Sequence, residues 1–334
     1  MKAPASTIIL TGATGFIGSA VLAEALARGT RVLALARADS DCQRLAELKG
    51  YELIRCARLD ESGLADRLRE CQPTTLIHCA WRGVAGSERQ ATHQITDNLP
   101  LTLASVQLAE ASGCSQWIGL GSQAEYGNPN HIIAETEPTR PTTIYGKAKL
   151  AAGIAALALC ETTGLAGAWL RVFSTYGPGD APHWMIPSVI REFLSGRAPR
   201  VTRCEQKWDY LYVTDAARAI LSAAGGRTAG VFNLGSGQAG SLKQIIELIR
   251  AELGSALEPE YGAIPYRPDQ VMHLQADVSR LMAACGWKPE VPLERGIRQT
   301  VAWHRRESGQ SGAPSGVEQV ARGGVNNGNL NSSR

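Results

Sequence analysis

The sequence predicts an α/β fold: an open, doubly wound parallel sheet with helices on both faces, joined to a smaller α/β unit. Short apolar runs alternate with helical stretches along most of the chain, as βαβ units require. A glycine-rich turn follows the first apolar run directly. The chain is also large enough: 334 residues, 44% hydrophobic and 19% charged, supply a core for such a sheet and a companion unit.

Taken in order, Thr7–Thr11 reads as the first strand. Gly15–Arg28 follows as a helix with Ile17, Val21 and Ala25 on one face and Leu22 and Leu26 beside it. Arg31–Leu35, Tyr51–Arg55 and Thr74–Cys79 are the next strands. Leu99–Ala111 is a helix and Gln116–Leu120 a fifth strand. Thr143–Cys160 is a long alanine-rich helix, and Ala166–Val172 another strand. Helix and strand signals then continue, less regularly, to about Arg306. Glu307–Arg334 is rich in Gly, Ser and Asn, has no apolar period, and is expected to be disordered.

The net charge is only +3, with Lys and Arg scattered, which argues against a nucleic-acid surface. No stretch approaches the ~20 apolar residues that span a bilayer. Ile8, Ile9 and Leu10 run straight into the glycine turn, so the start of the chain does not read as a signal peptide. The eight cysteines show no CxxC pair and read as reduced thiols of a cytoplasmic protein, with no metal site.

The turn Gly12-Ala13-Thr14-Gly15-Phe16-Ile17-Gly18 leads from a buried strand into a helix. Gly12 permits the turn, Gly15 lets a pyrophosphate approach the backbone, and Gly18 lets the helix pack close to the sheet. The helix N-terminus then offers free N–H groups to the anion. The spacing is GxxGxxG, and a Rossmann-type dinucleotide site is expected. A site selective for NAD(H) wants a carboxylate at the end of the second strand. Ala36 stands there, followed by Arg37, whose guanidinium attracts a 2′-phosphate. NADP(H) is therefore favoured, with NAD(H) the alternative because Asp39 and Asp41 lie close by.

Tyr145 and Lys149 are four residues apart at the start of the alanine-rich helix, so they share a face. An ammonium beside a phenol favours the phenolate and makes Tyr145 an acid/base catalyst near neutrality. Ser122 follows the fifth strand, at the carboxyl edge of the sheet where ligands of such folds bind. Its hydroxyl is placed to polarise a substrate carbonyl.

Thr11–Gly18, His78-Cys79-Ala80, Ser122 and the Tyr145/Lys149 pair together resemble the extended short-chain dehydrogenases/reductases, the NAD(P)-dependent sugar-nucleotide epimerase/dehydratase family. The likeness continues through Asn98, Leu170–Gly179, Trp208–Asp215, Phe232–Gly237 and Arg267-Pro268-Asp269, and so covers about residues 5–305. It implies a dinucleotide-binding domain over residues 1–173, with later returns near 208–235, and a mainly substrate-binding domain over 174–306. It also implies coenzyme contacts from Gly12, Thr14, Gly15, Phe16, Ile17, Arg37, Asp60, Cys79, Ala80 and Asn98, besides Tyr145 and Lys149; Asn98 resembles the asparagine that helps hold the active-site helix. Substrate contacts are implied for Ser122, Gln123, Ser174, Thr175 and Arg267, the last pairing with a diphosphate. The partner expected is a nucleotide-sugar substrate, and a homodimer is expected through the Leu99–Ala111 and Thr143–Cys160 helices.

Departures from the family pattern narrow the reaction. Family 4,6-dehydratases carry a glutamate two residues after the active-site hydroxyl, and double-epimerising reductases a cysteine; here that place is Ala124. The neighbouring Glu125, on a continuing strand, would point to the opposite face. Ser174 replaces a family asparagine, and Trp208, preceded by Lys207, replaces an arginine. The chain resembles the sugar-nucleotide 4-ketoreductases most. This implies NADPH-dependent reduction of a 4-keto, 6-deoxy nucleotide sugar with Tyr145 as general acid. The alternatives are a C4 epimerase using the same three residues and, more remotely, a non-catalytic dinucleotide sensor.

Overall fold

A five-residue strand that is buried along its whole length must be covered on both faces and paired on both edges, and Thr7–Thr11 is such a strand. The computed structural model describes residues 6–309. In chain order its elements begin with β1 (Thr7–Thr11), α1 (Phe16–Ala27), β2 (Arg31–Ala36), β3 (Glu52–Arg55), α2 (Leu64–Glu70) and β4 (Thr75–His78). Then come α3 (His93–Thr96), α4 (Asn98–Ala111), β5 (Gln116–Ser122), β6 (His131–Ile133), α5 (Ile144–Thr163), β7 (Ala166–Val172) and β8 (Ser174–Tyr176). These lead to α6 (Met185–Leu194), β9 (Arg200–Val201), β10 (Lys207–Tyr212), α7 (Val213–Gly225) and β11 (Gly230–Leu234). The last are β12 (Ala239–Ser241), α8 (Leu242–Leu253), β13 (Glu260–Tyr261), β14 (His273–Ala276), α9 (Ser279–Cys285) and α10 (Leu293–Glu307).

Seven strands pair in parallel throughout, in the order β11-β7-β5-β4-β1-β2-β3. Alternate residues of β1 feed two cores. Ile8 and Leu10 pack with Val21, Leu22, Ala216 and Ile220 under α1 and α7. Ile9 packs with Leu33, Leu76, Leu68, Val106 and Ala152 under α2, α4 and α5. The doubly wound α/β fold is the one predicted, and its strand ends differ from the sequence reading by only one or two residues. One difference matters: β5 runs on to Ser122, which pairs with Val172 and so ends the strand at the carboxyl edge.

The smaller sheet is β12-β10-β14-β6, with β8 pairing β10; within it only β10 and β12 run antiparallel. A short β13–β9 ribbon stands apart. The chain is stitched between the two sheets, because β6 joins the smaller one from a segment between β5 and α5. β11 rejoins the larger sheet beside β7.

Gln123–Glu125 corrects the sequence reading. The strand does not continue there, but closes into a single 3₁₀ turn. Ser122 Oγ accepts from Ala124 N at 3.2 Å while the Glu125 carboxylate accepts from Ser122 N at 2.8 Å. That reciprocal pair is a capping box, and it satisfies two backbone donors that strand alternation would have left to a neighbour. No helix among the described residues is long and apolar enough to cross a membrane. Of the segment expected to be disordered, Glu307 closes α10 and residues 310–334 lie outside the described residues.

Gly18 shows how tightly α1 sits on the turn before it: a methyl there would lie 2.0 Å from Gly12 O. Gly18→Ala should therefore cost about 1–3 kcal/mol of stability. A lower midpoint at unchanged slope in urea unfolding would report it.

Candidate active site

The glycine turn does three jobs with three glycines. Gly12 has φ +71°, and a side chain there would strike Ala80 N at 2.5 Å, so the turn lies directly against the segment that follows β4. Gly15 is exposed, and a methyl on it would meet only Gly12 O at 3.3 Å, leaving one side open to a ligand. Helix α1 begins at that open side with no side-chain cap and no acid in its first turn. Its free N–H groups and positive dipole end fit the pyrophosphate of a dinucleotide. Thr14, Phe16 and Ile17 are all half-buried around the same turn.

At the other end of the crevice, Ser122, Tyr145 and Lys149 come together. All three are buried, at 7%, 7% and 4% exposure, so each polar group needs a partner inside the protein. Thr143 caps α5 by accepting from Gly146 N at 3.1 Å, which sets the first turn that carries Tyr145. The Ser122 hydroxyl lies close enough to the phenol to act on its proton. Burial pushes the Tyr145 phenol above its ordinary value; the Ser122 hydroxyl and the Arg89 charge act against that. The sequence reading gave this tuning to Lys149. In the structure the Lys149 ammonium is 6.0 Å from the Tyr145 ring centroid, whereas Arg89 Cζ lies over that ring at 4.5 Å.

Lys149 is directed elsewhere because its own charge is buried. Nζ donates to Leu120 O at 2.7 Å and sits 3.6 Å from the centroid of the Trp81 indole. Burial lowers its pKa to about 7, against the pull of the Glu125 charge. The Cys79 thiol is itself pushed up to about 12 by burial, so it stays protonated. His78 is driven down to about 3 and is neutral, bonded to Thr11 Oγ1 at 2.8 Å and stacked on Trp117.

Glu125 is not free to act as a base. Its carboxylate takes Arg171 Nε at 2.7 Å, Trp169 Nε1 at 3.0 Å and Ser122 N at 2.8 Å, with no exposed surface. Arg171 in turn lies over the Tyr126 ring, and Tyr126 donates to Asn233 Oδ1 at 2.7 Å. A buried ion pair therefore ties the Ser122 turn to β7 and β11. Nothing in the local sequence signals this, since Glu125 and Arg171 are 46 residues apart.

Other predicted residues fall as follows. Asn98 is buried, but it grips the backbone of Arg82, accepting from its N at 2.8 Å and donating to its O at 3.0 Å. It thus holds the loop after β4, where the sequence reading had it holding the active-site helix. Arg37, the residue after β2, is exposed and paired to Asp39 at 2.9 Å. Asp60 is exposed and forked onto Arg58 at 2.6 and 2.7 Å. Arg267 is exposed and makes no ion pair among the described residues. Gln123 is half-buried beside Ser122, and Thr175 half-buried on β8. Ser174 Oγ accepts from Trp208 Nε1 at 2.7 Å, so the two departures from the family pattern are one contact. Arg44, which the sequence analysis passed over, donates to Gly179 O at 3.0 Å and reaches Thr14 O at 3.5 Å. It links the glycine turn to the loop after β8.

Comparison with known proteins agrees with this fold. The model of the NAD dependent epimerase/dehydratase family matches residues 8–235. A dTDP-glucose 4,6-dehydratase of Streptomyces griseus is 28% identical over 90% of this chain and 94% of its own length. A dTDP-6-deoxy-L-talose 4-dehydrogenase (NAD(P)(+)) of Kitasatospora kifunensis is 29% identical over 89% and 95%. Among solved structures, a UDP-N-acetylglucosamine 4-epimerase from Methanobrevibacter ruminantium, in complex with UDP-N-acetylmuramic acid, superposes with a TM-score of 0.80. It is 25% identical and covers 91% of this chain and 100% of its own.

Arg171→Met leaves the Glu125 carboxylate buried without its cation and should cost about 3–5 kcal/mol. The pair Glu125→Gln with Arg171→Met should lose less than Arg171→Met alone. Urea unfolding of the three variants measures both differences.

Proposed function

The chain belongs to the NAD-dependent epimerase/dehydratase family, and from that premise we propose that it is a nucleotide-sugar 4-ketoreductase: it reduces the 4-keto group of a nucleotide-linked 4-keto-6-deoxy sugar at the expense of NADPH. The observation that carries this reading is a hydroxyl–phenol pair with no carboxylate free beside it. Ser122 and Tyr145 lie side by side, both buried, at the carboxyl edge of the sheet. Position 124 is a buried alanine, and Glu125 is consumed by Arg171, Trp169 and Ser122. A 4,6-dehydration needs a base at position 124 to remove a carbon-bound proton; a ketone reduction needs only a proton donor to oxygen.

Bound over the glycine turn, a nicotinamide coenzyme supplies the hydride that such a reduction consumes. The protein does the rest. Ser122 holds the ketone oxygen, and Tyr145 gives it a proton as negative charge develops there. The tyrosinate left behind is stabilised by Ser122 and by the Arg89 guanidinium over its ring. Lys149, with one N–H on Leu120 O, retains donors for the nicotinamide ribose. The substrate diphosphate falls to exposed cations of the smaller sheet and its loops, Arg267 together with Arg203 or Lys207, none ion-paired among the described residues. Ser174, Thr175 and Gln123 flank the sugar.

NADPH is preferred on the strength of Ala36 and Arg37. The Arg37 guanidinium is held, among the described residues, by one exposed bond to Asp39; such pairs are worth at most about 1 kcal/mol and yield to a dianionic phosphate. The related dehydrogenase of Kitasatospora kifunensis carries NAD(P)(+) in its name. Ile154 is 64% exposed on α5, which supports a homodimer through α4 and α5. The cysteines among the described residues are all unpaired, consistent with a reducing, cytoplasmic setting.

A C4 epimerase would use the same three residues, as the name of the Methanobrevibacter ruminantium neighbour keeps in view. Net oxidation separates the two. NADPH consumption in step with loss of a 4-keto-6-deoxy nucleotide sugar is expected, and Tyr145→Phe should lower kcat by about 100-fold or more. Interconversion of 4-hydroxy nucleotide sugars with no net change at 340 nm would instead make the enzyme an epimerase. Coenzyme choice is read from Arg37→Ala: KM for NADPH should rise about tenfold, with KM for NADH nearly unchanged.

A further inference from the structure

The loop between β4 and α3 supplies two aromatic–cation contacts to the catalytic cluster. Trp81 stands one residue past Ala80, where the chain passes beneath the glycine turn. Its ring meets Tyr145 edge to face at 6.1 Å and carries the Lys149 ammonium 3.6 Å above its centroid. That ring is not loosely placed. Trp81 Nε1 donates to Gln94 Oε1 at 2.8 Å, and Gln94 is fully buried, its own amide donating to Glu88 O at 3.1 Å and to Gly83 O. Asn98 clamps the next residue, Arg82, through both its backbone N and O. The indole plane is therefore fixed by two buried amides before any ligand arrives.

We propose that Trp81 is a positioning residue of this centre: its indole face seats the Lys149 ammonium so that, with Leu120 O taking one N–H, another is aimed at the nicotinamide ribose. The inference rests on the coenzyme part of the proposed function. An ammonium has three donors and no acceptor, and inside a protein each direction needs an electron-rich partner. Leu120 O fills one direction and the π face a second. Without the indole, a flexible four-carbon side chain keeps a single anchor.

The indole also bears on the charge itself. Facing Lys149 are Glu125 from the turn after β5, Cys79 and neutral His78 from the end of β4, and Tyr145 on its own helix. Arg171 lies beyond Glu125 and is neutralised by it, Arg89 lies across the Tyr145 ring, and the Trp169 ring is 5.7 Å away. Of these only Glu125 and the Trp81 face favour the protonated form strongly. Removing the face lowers the pH at which Lys149 gives up its proton.

The test measures NADPH affinity of the full chain by coenzyme fluorescence from pH 6 to 9, which requires no sugar, for wild type, Trp81→Leu and Trp81→Phe. In wild type, affinity should fall as pH rises through the Lys149 titration. Trp81→Leu should move that inflection down by about one pH unit, and Trp81→Phe, which keeps a π face but loses the Gln94 bond, should recover most of the shift. The alkaline limb of kcat/KM on a reduced substrate should move with it. An inflection that stays in place in Trp81→Leu overturns the inference, as does affinity lowered equally at every pH, the mark of a merely structural role. An inflection that moves while no keto nucleotide sugar is turned over sinks the proposed reaction and leaves the role of Trp81 standing. Turnover with an unmoved inflection does the reverse.

Discussion

The constraint on which this structure turns is a buried ammonium. Taking a charged amine out of water costs several kcal/mol unless the interior supplies partners, and Lys149 is 4% exposed. Its partners come from two separate segments: Leu120 O and the Glu125 charge from β5 and the turn that ends it, and the Trp81 face from the loop after β4. None is near Lys149 in sequence. They meet only because β4 and β5 are parallel neighbours and α5 packs over β5. The ammonium is thus affordable only in the completed sheet, and the sheet edge is where the proposed reaction needs it.

The same adjacency defines the crevice. From β1 the chain moves outward through β2 and β3, then returns to lay β4 on the other side of β1. The strand order reverses at that point, and in open parallel sheets a ligand crevice opens there. The loops after β1 and β4 leave in diverging directions yet touch at their base, where Gly12 lies against Cys79 and Ala80. One end of the crevice is therefore a helix N-terminus free of acids, and the other is the Ser122–Tyr145–Lys149 group. Arg44 reaches from the glycine turn to Gly179 and brings the loop after β8 to the same mouth.

Much of this was legible in the sequence, for physical reasons that can be named. Strands buried on both faces are continuous apolar runs, so β1, β2 and β7 stand out. Tyr145 and Lys149 are visible as a pair because the helix period alone joins residues four apart. What stayed hidden depends on register between distant strands. Gly121 pairs with Arg171 across β5 and β7, and this pairing carries the Arg171 side chain to Glu125. No local period encodes it. Glu125 was misread because alternation was assumed to continue, although Ser122-x-x-Glu125 is itself a helix-start signal and that signal prevails. Trp81 and Arg89 belong to an irregular loop, where sequence patterns are weakest, and their placement follows from Gln94, Asn98 and the Arg89 O bond to Tyr145 N.

The two substrate-side departures become intelligible only together. Ser174 begins β8 and pairs in register with Tyr210, two residues beyond Trp208 on β10, so positions 174 and 208 are diagonal neighbours on adjacent strands. A half-buried indole needs an acceptor for its N–H, and a short hydroxyl at 174 provides it at 2.7 Å while leaving room for the ring. An arginine at 208 would have brought its own charge and required no such acceptor. Replacing it exchanges a cation for a neutral wall, and in the proposed function the positive charge for an anionic substrate comes from exposed Arg203, Lys207 and Arg267. Exposed charges act through water and are screened within about 8 Å at physiological salt. On the proposed reading, substrate capture by this chain should accordingly be more sensitive to ionic strength than capture by a pocket with a guanidinium inside it.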